Sequence, residues 1–273
     1  MRRLWTLILA LGLIGLIASM AACQAESARL EPLPTLADIN TLPTTDFLTQ
    51  NAPPAGFDEV SFDPLDRALA ARPGWSYSVV GEFDGVFVDS GEPAEGRFTL
   101  RVWSNELGES RRAVLEVEGL AVSPQEFVRL EGVRISDDTY VVDINGQCAP
   151  GGSGASVVAD LSAGQLIGGV VRAVPTGHRQ SIDDVPVWQY TFAPDALRLA
   201  AIRRGDDSRV SVEADLWVAP GVNAVARFEA SVDVTNVRVL TAERAVSGTL
   251  FLRYDLDLTQ VDALPNISVP HGC

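Results

Sequence analysis

From residue 75 onward, apolar side chains recur at every second position. Trp75, Tyr77 and Val79 alternate with Ser76, Ser78 and Val80, and Phe98, Leu100 and Val102 alternate with Thr99, Arg101 and Trp103. A period of two marks strands with one buried face. The same reasoning predicts strands at 86–88 after Gly85, and at 114–117, 127–135 and 140–144. Four more follow at 187–192, 210–218, 222–234 and 250–256. Spacings of this order, with Gly, Asn and Asp in the turns, describe antiparallel meanders.

Three stretches read as helices. Asp63-Pro64 resembles an N-cap followed by proline at the first helical position, with Leu65, Ala68 and Leu69 on one face before Pro73-Gly74. Gly151-Gly152-Ser153-Gly154 reads as a flexible break. After it Ser162 can cap a helix over 162–174, whose stripe is Leu166, Ile167, Val170, Val171 and Val174. Gly164, Gly168 and Gly169 weaken that helix by about 1 kcal/mol each relative to Ala, which suits a movable cover. A third short helix is expected over 196–202 behind Pro194-Asp195. The expected class is α+β: a curved antiparallel sheet with a few helices on one face.

The N-terminus differs in kind. Arg2 and Arg3 precede an uncharged, Leu-, Ile- and Ala-rich run from Leu4 to Ala22. That is the layout of a secretory signal. Met20-Ala21-Ala22-Cys23 resembles the bacterial lipobox, which implies cleavage before Cys23 after its thiol has received a diacylglycerol. The competing reading is an uncleaved anchor, since the run is long enough to span a bilayer. Both place the rest of the chain outside the cytoplasm, tethered to a membrane. Residues 23–57 form a linker punctuated by Pro32, Pro34, Pro43, Pro53 and Pro54, and residues 58–273 form the folded domain.

Charge narrows the partners. The chain carries a formal charge of −15, and losing Arg2 and Arg3 makes it more acidic still. Repulsion from phosphate backbones argues against nucleic-acid binding. Every basic residue is arginine, so lysine chemistry such as Schiff-base formation is excluded. With Cys23 assigned to lipid, Cys148 and Cys273 remain. In an oxidising compartment they are expected to form a disulfide. They lie 125 positions apart, and closing such a loop stabilises by about 4–5 kcal/mol in the chain-entropy model.

Catalytic and metal-binding patterns are missing. His178 and His271 have no partner at ligand spacing. Asp137-Asp138, Asp183-Asp184 and Asp206-Asp207 sit in turn-like segments and lack the DxDxDG spacing of a calcium loop. Asp255 and Asp257 share a strand face without a context that raises either pKa. There is no GxSxG elbow or phosphate-binding loop, and Asn266-Ile267-Ser268 is too common a pattern to carry weight. A non-enzymatic protein with no cofactor and no metal, acting as a monomer, is expected.

Four segments occur in order: Val185-Pro186-Val187-Trp188-Gln189-Tyr190-Thr191-Phe192, Ala214-Asp215-Leu216-Trp217-Val218-Ala219, Gly248-Thr249-Leu250-Phe251-Leu252-Arg253-Tyr254-Asp255, and Ile267-Ser268-Val269-Pro270-His271-Gly272-Cys273. Together they resemble the LppX/LprG-type bacterial lipoproteins and the related LolA/LolB-like carriers. The resemblance spans residues 60–273 in layout and about 80 residues in pattern. It implies a strongly curved half-barrel whose concave face is covered by helices over an apolar cavity for acyl chains. It implies carriage of lipids or lipidated molecules in the cell envelope, and it assigns no catalytic residue. Candidates to line the cavity are Phe98, Leu100, Val102, Leu115, Val117, Phe228 and Leu252 on strands, with Leu166 and Val170 on the expected cover. Taken singly, each of these residues reads first as ordinary core, since alternating Val, Leu and Phe on strands usually means that. The alternative function is an envelope scaffold or sensor with the same fold and a filled interior.

Overall fold

The computed structural model describes residues 52–119, 127–240 and 242–273. The signal-like run, Cys23 and most of the linker lie outside the described residues. Among the described residues no helix is long and apolar enough to cross a membrane.

Alternation in the sequence becomes one antiparallel sheet of thirteen strands. The first seven are β1 (Val60–Phe62), β2 (Gly74–Phe87), β3 (Pro93–Asn105), β4 (Ser110–Gly119), β5 (Phe127–Ile135), β6 (Asp138–Val142) and β7 (Cys148–Pro150). Next come β8 (Gly169–Ile182), β9 (Val185–Thr191), β10 (Leu197–Arg198), β11 (Ile202–Ala219), β12 (Ala224–Val239) and β13 (Val246–Leu256). The spatial order is β1-β8-β9-β11-β12-β13-β2-β3-β4-β5-β6-β7, with β10 against β8, and the sheet is not closed. Two meanders, β2 to β7 and β8 to β13, therefore join where β13 lies along β2. There Tyr254 faces Val79, Leu252 faces Gly81 and Leu250 faces Phe83.

One sheet face carries the core. Trp75, Tyr77, Val79 and Phe83 of β2 share it with Phe98, Leu100 and Val102 of β3, and all are buried. Across β13 and β12 the same face continues through Leu252, Tyr254, Phe228, Ala230 and Val232. Burying a Leu or Phe side chain stabilises by about 1.5–3 kcal/mol, so this face dominates the fold. Glycines let the strands approach closely. Gly85 pairs with Gly248 and Gly96 with Gly119. A Cβ at Gly85, Gly248 or Gly119 would land on the neighbouring strand's backbone.

Helix is scarcer than expected. The stretch around Leu65 and Leu69 is a 3₁₀ turn, Arg67–Ala71, although both leucines are buried as the stripe predicted. The glycine-rich break is instead α1 (Gly152–Ala159), whose backbone lies so close to Gly132 that a Cβ there would meet Ala159 N. The helix expected over 162–174 is only α2 (Ala163–Leu166), with Ser162 and Gln165 forming a capping box. Gly168 adopts φ +91°, which ends the helix, and the β-branched Val170, Val171 and Val174 continue as β8. The third expected helix is a 3₁₀ turn, Pro194–Ala196, followed by β10, and Ile202 already begins β11.

The cysteine pairing holds. Cys148 and Cys273 form a disulfide with Cα atoms 5.5 Å apart, which pins the C-terminus to β7.

Candidate functional site

The apolar face of β2 and β13 is covered by short segments, and a few polar contacts fix them. Asp66 is the junction. Its carboxylate accepts from the Tyr77 hydroxyl at 2.9 Å, from the Ala163 amide at 3.2 Å and from the Gly164 amide at 3.3 Å. The Ala163 amide also donates to the Tyr77 hydroxyl oxygen at 3.0 Å, and Leu65 N donates to Gly168 O at 3.1 Å. One acid thus ties the 3₁₀ turn, the start of α2 and β2 together.

Arg111 is a second clamp. It sits on the apolar-facing parity of β4 with Ala113, Leu115 and Val117, and it is buried. Its Nε donates to Ala159 O at 3.0 Å, and a terminal nitrogen donates to Leu161 O at 2.8 Å. Its guanidinium carbon also lies 5.3 Å from the Trp75 ring centre. A third contact, Tyr190 Oη to Phe57 O at 2.6 Å, brings the last residue of the expected linker against β9.

Under this cover lies an aromatic row. Trp75 stacks on Tyr77 with centroids 5.4 Å apart, and Tyr77 leans on Tyr254 at 5.2 Å. Burial, then the nearby Asp66 carboxylate, pushes the Tyr77 hydroxyl well above its ordinary pKa. Burial does the same to Tyr254, with Tyr77 and Asp66 adding to it. Trp75 Nε1, Trp188 Nε1 and Tyr254 Oη are buried without a hydrogen-bond partner among the described residues. Such orphans are uncommon in native interiors.

The strand-borne cavity candidates from the sequence fall in this core, and Leu166 packs against it from α2. Phe98, Leu100, Val102, Val170, Phe228 and Leu252 are buried, while Leu115, Val117 and Leu166 are half-buried against the same core. Phe98 and Val117 border a small, partly open void of about 10 Å³ together with Phe83, Leu250, Val239, Leu240, Arg97 and Glu118, room for about one water molecule. The opposite, polar face carries an open groove of about 770 Å³, with Glu82, Asp84, Glu95, Glu118 and Arg97 along it. His178 and His271 are exposed. Asp255 is held by Arg227 and Arg253, and Asp257 accepts from Thr259 at the end of the sheet. Among the described residues no three His, Cys, Asp or Glu side chains converge as a metal site.

Sequence reading missed the Asp66–Tyr77–Arg111 arrangement. One signal was available: Arg111 shares its strand parity with Ala113, Leu115 and Val117, and an arginine on an apolar face requires buried acceptors. Asp66 left none, because its partners are one tyrosine hydroxyl on the next strand and two backbone amides almost a hundred positions away.

No family model and no curated protein matches the chain. Among solved structures it is similar to an uncharacterized conserved protein from Thermus thermophilus, at 12% identity and a TM-score of 0.25 over 74% of this chain and 90% of that one. It is also similar to a DUF1329 family protein from Desulfovibrio piger, at 10% identity and a TM-score of 0.21 over 72% of this chain and 92% of that one.

Proposed function

We propose that this chain is an extracytoplasmic lipoprotein, anchored to the cell membrane through Cys23, that binds or carries a lipid or a lipidated molecule against the apolar face of its sheet. The observation that carries this reading is the disproportion between that face and its cover. A continuous apolar surface from β12 to β4 is packed against a 3₁₀ turn, two short helices and the short strand β1 with the start of β8, and Asp66, Arg111 and the Tyr190–Phe57 contact tie these segments down. Orphaned polar atoms on the aromatic row, Trp75 Nε1 and Tyr254 Oη, with Trp188 Nε1 on β9, suit an amphiphile whose polar end can accept from them.

The half-barrel form belongs to the same proposal. Paired glycines at 85/248 and 96/119 allow the sheet to bend. Leu240, just past β12, borders the same void as Phe98 and Val117, which is consistent with a sheet that curls over itself. The void holds no acyl chain as it stands, so cargo enters by displacing the cover. That small void also favours a second reading: a non-catalytic envelope scaffold or sensor with a filled core.

Native mass spectrometry of the full chain, extracted from a bacterial envelope in mild detergent, separates the two. A carrier retains a stoichiometric amphiphile besides its own anchor, and Cys23→Ser removes the covalent diacylglycerol, leaving the apolar run uncleaved, while the cargo stays. Recovery of a single protein partner and no amphiphile supports the scaffold instead.

A further inference from the structure

The apolar face is incomplete at β11. Val210, Val212 and Ala214 continue it but are only half-buried. The cause is pairing. β12 lies along nearly all of β11, whereas β9 reaches the other edge only at Leu216, Trp217 and Val218. Among the described residues, that edge of β11 is unpaired from Arg203 to Asp215. A row of free amide and carbonyl groups is a template for another strand.

Both limits of the regular part are set by the fold. A register shift between Arg204 and Arg209 interrupts the strand on one side, and β9 takes over at Leu216 on the other. What remains is Arg209 to Asp215, with Val212 at its centre. A two-fold axis at Val212 pairs this stretch with itself in antiparallel register. Val212 then faces Val212 of a second copy, Val210 faces Ala214, Ser211 faces Glu213, and Arg209 faces Asp215 twice. Moving the axis to Ser211 would still pair Arg209 with Glu213 but would set Asp215 against Asp207 in the irregular segment, and moving it to Glu213 would oppose two glutamates and leave Arg209 without an acid. Cross-strand partners of opposite charge stabilise and like charges repel, so charge selects the register that the free edge already imposes. Arg209 is exposed with no carboxylate partner among the described residues. Asp215 uses Oδ1 to accept from Gln189 Nε2 at 2.7 Å and keeps Oδ2.

In place of the monomer expected from the sequence, we propose that two copies of this chain associate through antiparallel β11–β11 pairing of residues 209–215 about Val212. The contact is isologous. A ladder of this length is small for an interface, so association depends on concentration. It is independent of whether the interior carries cargo.

Charge reversal tests it. In sedimentation of the full chain in mild detergent, wild type dimerises with rising concentration. Arg209→Asp alone and Asp215→Arg alone each weaken dimerisation at least tenfold. An equimolar mixture of the two recovers a heterodimer, and the double variant recovers the homodimer. A Val212→Cys chain in intact envelopes forms a disulfide-linked dimer that Arg209→Asp abolishes. A wild type that stays monomeric, or a dimer indifferent to both reversals, overturns the proposal. An unchanged denaturant midpoint and far-ultraviolet circular dichroism spectrum in each variant show that a lost dimer is not a lost fold.

Discussion

Two seams hold β11, β12 and β13 in the sheet, and they are built to different standards. At one, β13 runs beside β2 through eleven consecutive residue pairs, with Leu252, Tyr254 and Val79 fully buried. At the other, β11 touches β9 through three pairs, and the apolar residues just beyond are half-exposed. The first seam welds the two meanders into one sheet. The second leaves backbone groups and apolar surface open beside the covering segments. Rigidity and accessibility are thus placed at opposite sides of the same three strands.

The largest expected effects test that contrast directly. Leu252→Ala removes a fully buried side chain at the tight seam and is expected to cost about 2–5 kcal/mol. Val212→Ala, at the open seam, is expected to cost less than about 1 kcal/mol because little apolar area is lost. Denaturant unfolding of both variants, with the disulfide intact, measures the pair. Equal losses would mean that the open edge is covered as well as the closed one. Amide hydrogen exchange sharpens the point: β13 amides should exchange only by global unfolding, and those of 209–215 by local fluctuation.

A middle-sized effect is expected at the cover. Arg111→Ala deletes a buried cation and strands the carbonyls of Ala159 and Leu161. Leaving buried acceptors unpaired costs about 1–3 kcal/mol. Proteolysis around α1 should accelerate well before global stability falls, because Arg111 holds the cover while the sheet persists without it. If cleavage at α1 merely follows global unfolding, cover and sheet are one cooperative unit.

Strands were legible because their side chains obey a strict period of two, and the buried set of β2, β3 and β13 is the set that alternation selects. The helices were not. Leu166, Ile167, Val170, Val171 and Val174 satisfy a helical spacing, yet Gly168 at positive φ breaks the run and β-branched valines prefer the strand that follows. Residues 152–159 failed in the opposite sense. Their small side chains look like a linker, and a helix forms there because Gly132 leaves its backbone room to dock. Long-range polar partnerships such as Asp66 with Ala163 leave no local periodic trace. The disulfide was legible for a simpler reason: with Cys23 set aside, two cysteines have one possible pairing.

The smallest expected effect lies in alkali and again separates the seams. Burial, then the nearby Asp58 carboxylate, raises the Tyr190 hydroxyl at the open side to about 12. The unfolded chain ionises this group near pH 10. Below pH 10 the contribution is complete, because both states keep the proton. As pH rises through about 12 the unfolded chain has lost its proton first, so folding stability declines across that window. Tyr190→Phe should flatten the decline modestly while also losing the bond to Phe57 O. Burial at the closed seam also raises the Tyr254 hydroxyl well above its ordinary range; because the closed seam opens only with the whole sheet, phenolate absorbance should show Tyr190 ionising in the native state before Tyr254. Simultaneous appearance of both phenolates, only at unfolding, would show that the β9 side is as tightly closed as the β2 side.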